Sequence, residues 1–93
     1  MEIEITNVKI FKATQKGALL GYANIILNNS FMIRGIKILE TKKHGRFVAM
    51  PSRPSKKHKG KFIDLCHPLN QDIRDLITIA ILDVYNAQEK KNY

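Results

Sequence analysis

The chain of 93 residues is poor in cysteine, in long apolar runs and in acidic residues. The first two shortages exclude an internal disulfide and a membrane-spanning segment. Its single cysteine, Cys66, cannot form an internal disulfide. No apolar run approaches the roughly 18 to 20 residues that are needed to cross a bilayer. The N-terminal sequence MEIEITNVKI is acidic and alternating, which is unlike a signal peptide. Together these absences predict a cytoplasmic protein with no membrane partner.

Acidic residues are scarcest in the middle of the chain. The net charge is +8, from 16 Lys and Arg against eight Asp and Glu. Residues 1–50 carry a charge of +5, residues 51–61 carry +5 with no acid at all, and residues 62–93 carry −2. Clustered positive charge attracts polyanions, chiefly nucleic acid or an anionic surface. Composition alone leaves open the alternative that this charge only keeps a small protein soluble.

Motifs of enzymes and metal centres are missing as well. No Gly-rich phosphate-binding loop occurs, and His44, His58 and His67 have no spacing typical of zinc ligands. Asp64, Cys66 and His67 supply the residue types of a thiol nucleophile with its acid and base. Consecutive strand residues point to opposite faces, however, so Cys66 and His67 would not meet easily. We therefore predict no enzyme, cofactor, metal or small-molecule substrate, and interpret Cys66 as a buried residue.

The length and the hydrophobic periodicity predict one α+β domain spanning residues 1–93. Alternating apolar residues predict a small antiparallel sheet of about five strands. These strands lie at residues 3–10, 19–27, 31–38, 46–50 and 62–65. Changes of phase at Thr6-Asn7 and at Arg34-Gly35 predict bulges, and Asn28-Asn29 predicts a tight turn with left-handed backbone.

The C-terminal third of the chain predicts an amphipathic helix. Apolar residues recur there at steps of three and four from residue 73 to residue 85, and Asn70 or Asp72 can cap the start. Ile79 and Leu82 lie off the main apolar stripe, which leaves two alternatives open. Either the core wraps the helix broadly, or part of the helix packs on a second subunit. The small size of the chain favours oligomerisation, so we expect a homodimer.

A cationic segment, PSRPSKKHKGK at residues 51–61, separates the last two predicted strands. Arg53 has the planar fork for bidentate phosphate or guanine contacts, whereas lysines act as point charges. Pro51 and Pro54 stiffen the first arm of this loop. The candidate nucleic-acid-binding residues are Arg53, Lys56, Lys57, Lys59 and Lys61, with Lys42, Lys43 and Arg46 on and after the preceding turn as a second group. The alternative is a mobile, solvated connector.

Aromatic residues offer a further, weaker prediction. Tyr22, Phe31 and Phe47 lie in predicted strands and can stack on bases if the sheet has an open face, as in proteins that bind single strands. Residues of this type more often belong to the core, and the sequence leaves both interpretations open.

Three segments of the chain resemble the SpoVG family (stage V sporulation protein G). They are GRFVAMPS at 45–52, FIDLCHPLN at 62–70 and RDLITIAILDVY at 74–85. The resemblance implies a small α+β homodimer of bacterial origin. It also implies a regulator that binds DNA and RNA and takes part in sporulation, septation and gene expression. A second function class, a protein-interaction adaptor in cell division or in a regulatory complex, is also compatible with the sequence.

The resemblance also bears on the basic loop. In the family, basic residues just after the Met-Pro-Ser motif are held to contact nucleic acid, and the matching residue here is Arg53, followed by Lys56 and Lys57. The family loop is shorter and often contains an acidic segment, where this chain has Lys-His-Lys-Gly-Lys at 57–61. This departure adds positive charge and is expected to strengthen attraction to phosphates.

Overall fold

A computed structural model describes residues 2–14 and 17–90 and has the α+β architecture that the sequence predicts. Within those residues the elements are β1 (Ile5–Lys12), β2 (Leu19–Leu27), β3 (Phe31–Thr41), β4 (Gly45–Ala49), β5 (Ser52–Pro54), β6 (Phe62–Asp64) and α1 (Gln71–Lys90). The first four strands form an antiparallel sheet in the order β1-β2-β3-β4, and β5 pairs with β6 in a separate small sheet. No helix in the described ranges is long and apolar enough to span a membrane.

Both predicted bulges are confirmed in the four-stranded sheet. The register of β1 against β2 shifts between Ile5 and Asn7, and that of β2 against β3 shifts between Ala23 and Ile25, opposite Arg34-Gly35. Gly35 adopts a φ of 79°, a conformation that side chains disfavour, and its N–H donates to Asn24 Oδ1 at 3.1 Å. These bulges keep apolar side chains on the same face along the whole strand.

The turn between β2 and β3 is also confirmed. Asn28 and Asn29 have φ values of 50° and 52°, and asparagine tolerates this left-handed backbone better than most residues. The side chain of Asn28 accepts a hydrogen bond from the N–H of Glu4 at 2.6 Å and donates one to the carbonyl of Glu2 at 3.0 Å. These bonds tie the chain before β1 to the tip of the β2–β3 hairpin.

The helix covers one face of the four-stranded sheet. Asn70 caps it, because its Oδ1 accepts a hydrogen bond from the N–H of Ile73 at 2.9 Å. Ile77, Ile81 and Tyr85 face the sheet from the helix. The buried core consists of Ala23, Ile25, Ile36, Ile38, Met50, Ile77, Ile81 and Tyr85. Among the described residues, no helix covers the opposite face of the sheet.

The predicted fifth strand does not join the main sheet. It pairs with a three-residue strand, β5, which falls inside the segment that the sequence predicts to be a loop. The sequence does not predict β5 as a strand, because two prolines flank Ser52-Arg53 and a run of lysines follows. Proline and charged residues are both typical of loops.

The interpretation of Cys66 as a buried residue is wrong, because its thiol is exposed. Cys66 follows β6, which pairs with β5 and not with the four-stranded sheet, so the segment lies outside the core of that sheet. Every residue from 56 to 67 is exposed.

Candidate nucleic-acid interface

The basic segment of the sequence forms the tip of a β-hairpin, which we call the basic hairpin (residues 52–64). Cross-strand pairs Arg53–Ile63 and Pro54–Phe62 fix its base. The tip is closed by a hydrogen bond from the N–H of Ser55 to the carbonyl of Lys61 at 2.8 Å. Ser55 Oγ also accepts from the N–H groups of Lys57 and His58, at 3.3 and 3.2 Å. The loop therefore has its own hydrogen-bonded conformation.

Five cations of the basic hairpin project into solvent. They are Arg53, Lys56, Lys57, Lys59 and Lys61. Within residues 2–14 and 17–90, none of the five lies within 4 Å of a carboxylate, because the ion pairs found there both belong to Arg46. An open concavity of about 380 Å³ is lined by Arg53, Ser55, Lys56, Lys57, His58 and Ile63. Exposed cations that are not paired with carboxylates are available to contact phosphates.

The second group of predicted binding residues, Lys42, Lys43 and Arg46, occupies two different environments. Lys42 and Lys43 are exposed on the turn between β3 and β4, where the backbone is held by a bond from the N–H of His44 to Thr41 Oγ1 at 3.1 Å. Arg46 instead lies against the helix and is only partly exposed.

Arg46 ties two strands to the C-terminal half of the helix. Its Nε donates to Glu40 at 3.2 Å, its Nη1 to Asn86 at 2.7 Å and its Nη2 to Glu89 at 3.1 Å. The guanidinium also lies 5.3 Å from the ring centre of Tyr85, a cation–π contact. The hydrogen bond to Glu89 raises the pKa of Arg46 above its usual value. Burial raises the pKa of the Tyr85 phenol. Arg46 thus has a structural role that sequence reasoning did not identify.

We expect Arg46→Lys to lower stability without weakening nucleic-acid binding. Lysine keeps the positive charge but cannot make the three directed contacts, so the loss is about 1 kcal/mol, or roughly 4 to 8 °C in Tm for a domain of this size. Thermal unfolding and binding to a labelled oligonucleotide at a temperature where both proteins are folded check this. Unchanged Tm with weaker binding would show instead that the guanidinium contacts the nucleic acid directly.

The three aromatic residues that the sequence analysis singled out have different environments. Tyr22 is 39% exposed on the face of the sheet that the helix does not cover. Phe47 is half-buried and meets His44 edge-on, with ring centres 6.1 Å apart. Phe31 is 62% exposed at the end of β3, but its cross-strand partner is Leu27, so it points to the helix side. Phe11 and Phe62 are exposed aromatic residues that the sequence analysis did not name.

No group of three His, Cys, Asp or Glu side chains in the described residues is arranged to hold a metal ion. The three histidines lie at separate places: His44 on the β3–β4 turn, His58 at the tip of the basic hairpin and His67 before the helix.

Comparison with known proteins gives a consistent match along nearly the whole chain. The model of the SpoVG family matches residues 3–87. A relative from Archaeoglobus fulgidus is 41% identical over 86 residues, which cover 92% of this chain and 98% of the relative. A relative from Caldicellulosiruptor saccharolyticus is 38% identical over 85 residues, covering 91% and 93%. One from Acetivibrio thermocellus is 39% identical over 85 residues, covering 91% and 87%. All three carry the name "Putative septation protein SpoVG".

Proposed function

This chain belongs to the SpoVG family, and we propose that it acts as a homodimeric, cytoplasmic regulator of bacterial gene expression, sporulation and septation that binds DNA and RNA. In this proposal the basic hairpin contacts phosphates through Arg53, Lys56, Lys57, Lys59 and Lys61, while Lys42 and Lys43 extend the positive surface. The regulatory role and the dimer come from the family resemblance, whereas the phosphate contacts rest on the chemistry of the hairpin.

The observation that carries this proposal is the state of the five hairpin cations. They are exposed, lie on a loop with a fixed base, and have no carboxylate partner within 4 Å among the described residues. A solvated surface without function usually mixes both signs of charge, whereas residues 51–61 contain no acid. Phosphates are the partners that such a cluster attracts most strongly.

Fluorescence anisotropy with labelled single-stranded RNA, single-stranded DNA and duplex DNA tests the proposal. At low salt we expect binding to at least one of the three, and we expect it to weaken as salt rises because condensed counterions are released on binding. Absence of binding to all three at low salt would contradict the proposal.

A protein-interaction adaptor is the second candidate function, because large apolar side chains are exposed between the hairpin and the middle of the helix. Leu69 is 92% exposed and Ile79 is 59% exposed. Large exposed apolar side chains occur at contact sites for proteins. An adaptor would bind none of the three nucleic acids at low salt, so the same anisotropy experiment separates the two functions.

The exposed side of the helix also motivates the proposed dimer. Ile79 is 59% exposed while Leu82 packs against the core, so one of the two residues off the main stripe stays largely open to solvent. Light scattering at micromolar concentration is expected to give about twice the monomer mass of 10.7 kDa. A monomer at that concentration would contradict the prediction. If the helix forms the interface, Leu76→Gln combined with Ile79→Gln shifts the mass toward the monomer, because both side chains are exposed on it.

A further inference from the structure

The face of the four-stranded sheet that is turned away from the helix has its own pattern of side chains, and we call it the outer face. Side chains alternate along a strand, so the neighbours of the buried residues in β1, β2 and β3 point outward. The outer face carries Lys9 and Phe11 on β1, Tyr22 and Ile26 on β2, and Met32, Arg34 and Lys37 on β3. It therefore combines aromatic rings with cations.

The aromatic and basic side chains form a continuous row across the strands. Phe11 is the cross-strand partner of Tyr22, and Tyr22 is the partner of Lys37 on the next strand. Directly opposite residues have Cβ atoms about 5 Å apart, so their side chains are in contact range. Lys37 Nζ lies 5.3 Å from the ring centre of Phe62, on the basic hairpin. Lys9 Nζ lies 5.4 Å from the ring centre of Phe11 at the other end.

The three rings of this row are accessible. Phe11 is 46% exposed, Tyr22 is 39% exposed and Phe62 is 62% exposed. A ring that serves only the core would be buried, as Tyr85 is on the helix side. The row thus presents apolar ring surface to solvent over three strands and reaches the base of the basic hairpin.

The charges of the outer face are of one sign. Strands β1 to β4 contain a single acid, Glu40, and its carboxylate is bound by Arg46 beside the helix. Lys9, Arg34 and Lys37 remain on the outer face without an acid among the strand residues. The nearest acid on the hairpin is Asp64, which has the same orientation as Phe62 but makes no ion pair within 4 Å in the part of the chain that the structure describes.

We propose that the outer face binds single-stranded nucleic acid, with unpaired bases stacked on Phe11, Tyr22 and Phe62 and phosphates near Lys9, Arg34 and Lys37. Rings beside cations are the combination that single-strand binders use, because every base has a stacking face and every phosphate a negative charge. A duplex hides its base faces and cannot use the rings. This proposal rests on the proposed nucleic-acid function and specifies which form of nucleic acid the sheet selects.

The position of Phe62 connects the two surfaces. Phe62 belongs to the basic hairpin, and its ring meets Lys37 of the sheet, so the row leads to the hairpin without a gap. A single strand of nucleic acid whose bases stack on the outer face can continue past Phe62 to the lysines at the hairpin tip. The rings then supply the preference for unpaired bases, and the hairpin supplies attraction that any phosphate backbone satisfies.

The test is the double variant Phe11→Leu and Tyr22→Leu, measured with oligo(U), oligo(dT) and a duplex of mixed sequence. Leucine keeps apolar surface but removes the rings. We expect roughly a tenfold or greater loss of affinity for the single strands, since stacking contributes about 1–3 kcal/mol per base. Affinity for the duplex and the salt dependence are expected to stay the same, because no cation is removed. Comparison of oligo(U) with oligo(dT) shows whether RNA or DNA is preferred.

Two control variants isolate the stacking. Tyr22→Phe keeps the ring and is expected to bind single strands as the unmodified protein does. Phe31→Leu removes an exposed ring that points to the helix side, and it is expected to leave binding unchanged. Ultraviolet crosslinking of bound oligo(U), read by mass spectrometry, is expected to mark Phe11, Tyr22 or Phe62 even if the double variant does not fold.

The outcomes distinguish this proposal from the proposed function. If the double variant is folded and binds single strands as tightly as the unmodified protein does, the stacking proposal is overturned while nucleic-acid binding stands. If the unmodified protein binds no nucleic acid at all, both are overturned. If the double variant turns a dimer into a monomer with unchanged binding per subunit, the outer face is covered by a second copy of the chain, and the stacking proposal is again overturned.

Discussion

Replacing Arg53, Lys56, Lys57 and Lys59 together by Gln is expected to weaken nucleic-acid binding and to flatten its salt dependence. Each phosphate contact that is lost removes roughly 0.7, for a single strand, to 0.9, for a duplex, from the slope of log K against log salt. Loss of all four contacts therefore lowers the slope by roughly 2.8 for a single strand and roughly 3.6 for a duplex. The effect follows from the exposure of these cations, which have no carboxylate within 4 Å in residues 2–14 and 17–90 to neutralise them.

The fold is expected to survive this fourfold change. The affected side chains are exposed, and the bonds that close the hairpin tip come from backbone groups and from Ser55. Surface substitutions of this kind usually change stability by within about 0.5 kcal/mol each. A folded variant with unchanged affinity and unchanged slope would exclude these four cations as the phosphate site and leave Lys61, Lys42, Lys43 and the outer face as the alternatives.

Arg53→Lys separates geometry from charge within the same hairpin. Lysine keeps the charge but loses the planar fork, so the slope should stay constant in either case. A measurable loss of affinity then indicates a bidentate contact, whereas equal affinity indicates that Arg53 acts only as a charge.

Ile81→Ala is expected to destabilise the protein by about 2 to 5 kcal/mol. Ile81 is fully buried at the centre of the helix–sheet interface, among Ile25, Ile36 and Ile38. Truncation leaves a cavity there, and the neighbouring strands cannot close it without breaking their pairing. For 93 residues the whole free energy of unfolding is about 5 to 14 kcal/mol, so this single change removes a large share of it.

Urea unfolding at a fixed protein concentration measures this loss, with the concentration held constant because assembly affects apparent stability. Ile3→Ala is the matched control, since it removes the same atoms from an exposed side chain that precedes β1. Its expected loss is within about 1 kcal/mol. Equal losses in the two variants would mean that the helix does not pack on the sheet as described.

Local sequence patterns predict most of the fold because the elements are stabilised by local chemistry. The strand at Leu19–Leu27 has the predicted bounds, and its alternation is what buries Ala23 and Ile25. The two bulges are predicted by changes of phase in the apolar alternation. The cap at Asn70 is predicted by an asparagine that stands before an apolar helical pattern. Each of these signals lies within a few residues of the structure that it predicts.

The features that the sequence does not predict depend on contacts between distant parts of the chain. Arg46 bonds to Asn86 and Glu89, more than 40 residues away in the case of Glu89, and no local pattern encodes that pairing. The strand at Ser52–Pro54 is too short to show periodicity. Cys66 is exposed because the strand that precedes it, β6, pairs with Ser52–Pro54 rather than with the main sheet.

In the candidate site, too, one part can be predicted from a local sequence pattern and the other depends on contacts between distant residues. The five hairpin cations are visible in the sequence as a run without acids, and the structure adds their common hairpin and their exposure. The row of rings is invisible in the sequence, because Phe11, Tyr22 and Phe62 are far apart in the chain. Only the register of β1 against β2 and the position of the hairpin over Lys37 bring them into one row.

An NMR titration of the nitrogen-15-labelled protein with short oligo(dT) tests directly whether nucleic acid binds to the basic hairpin and the outer face, because it locates the bound nucleic acid residue by residue. We expect the amide signals of the basic hairpin, residues 52–64, to shift together with those of Phe11 and Tyr22, and the shifts at the hairpin to diminish as salt is added. Signals of the buried helix face at Ile77 and Ile81 are expected to stay in place. Binding with shifts confined to the helix and none in the hairpin, or no shifts at low salt, would contradict this expectation.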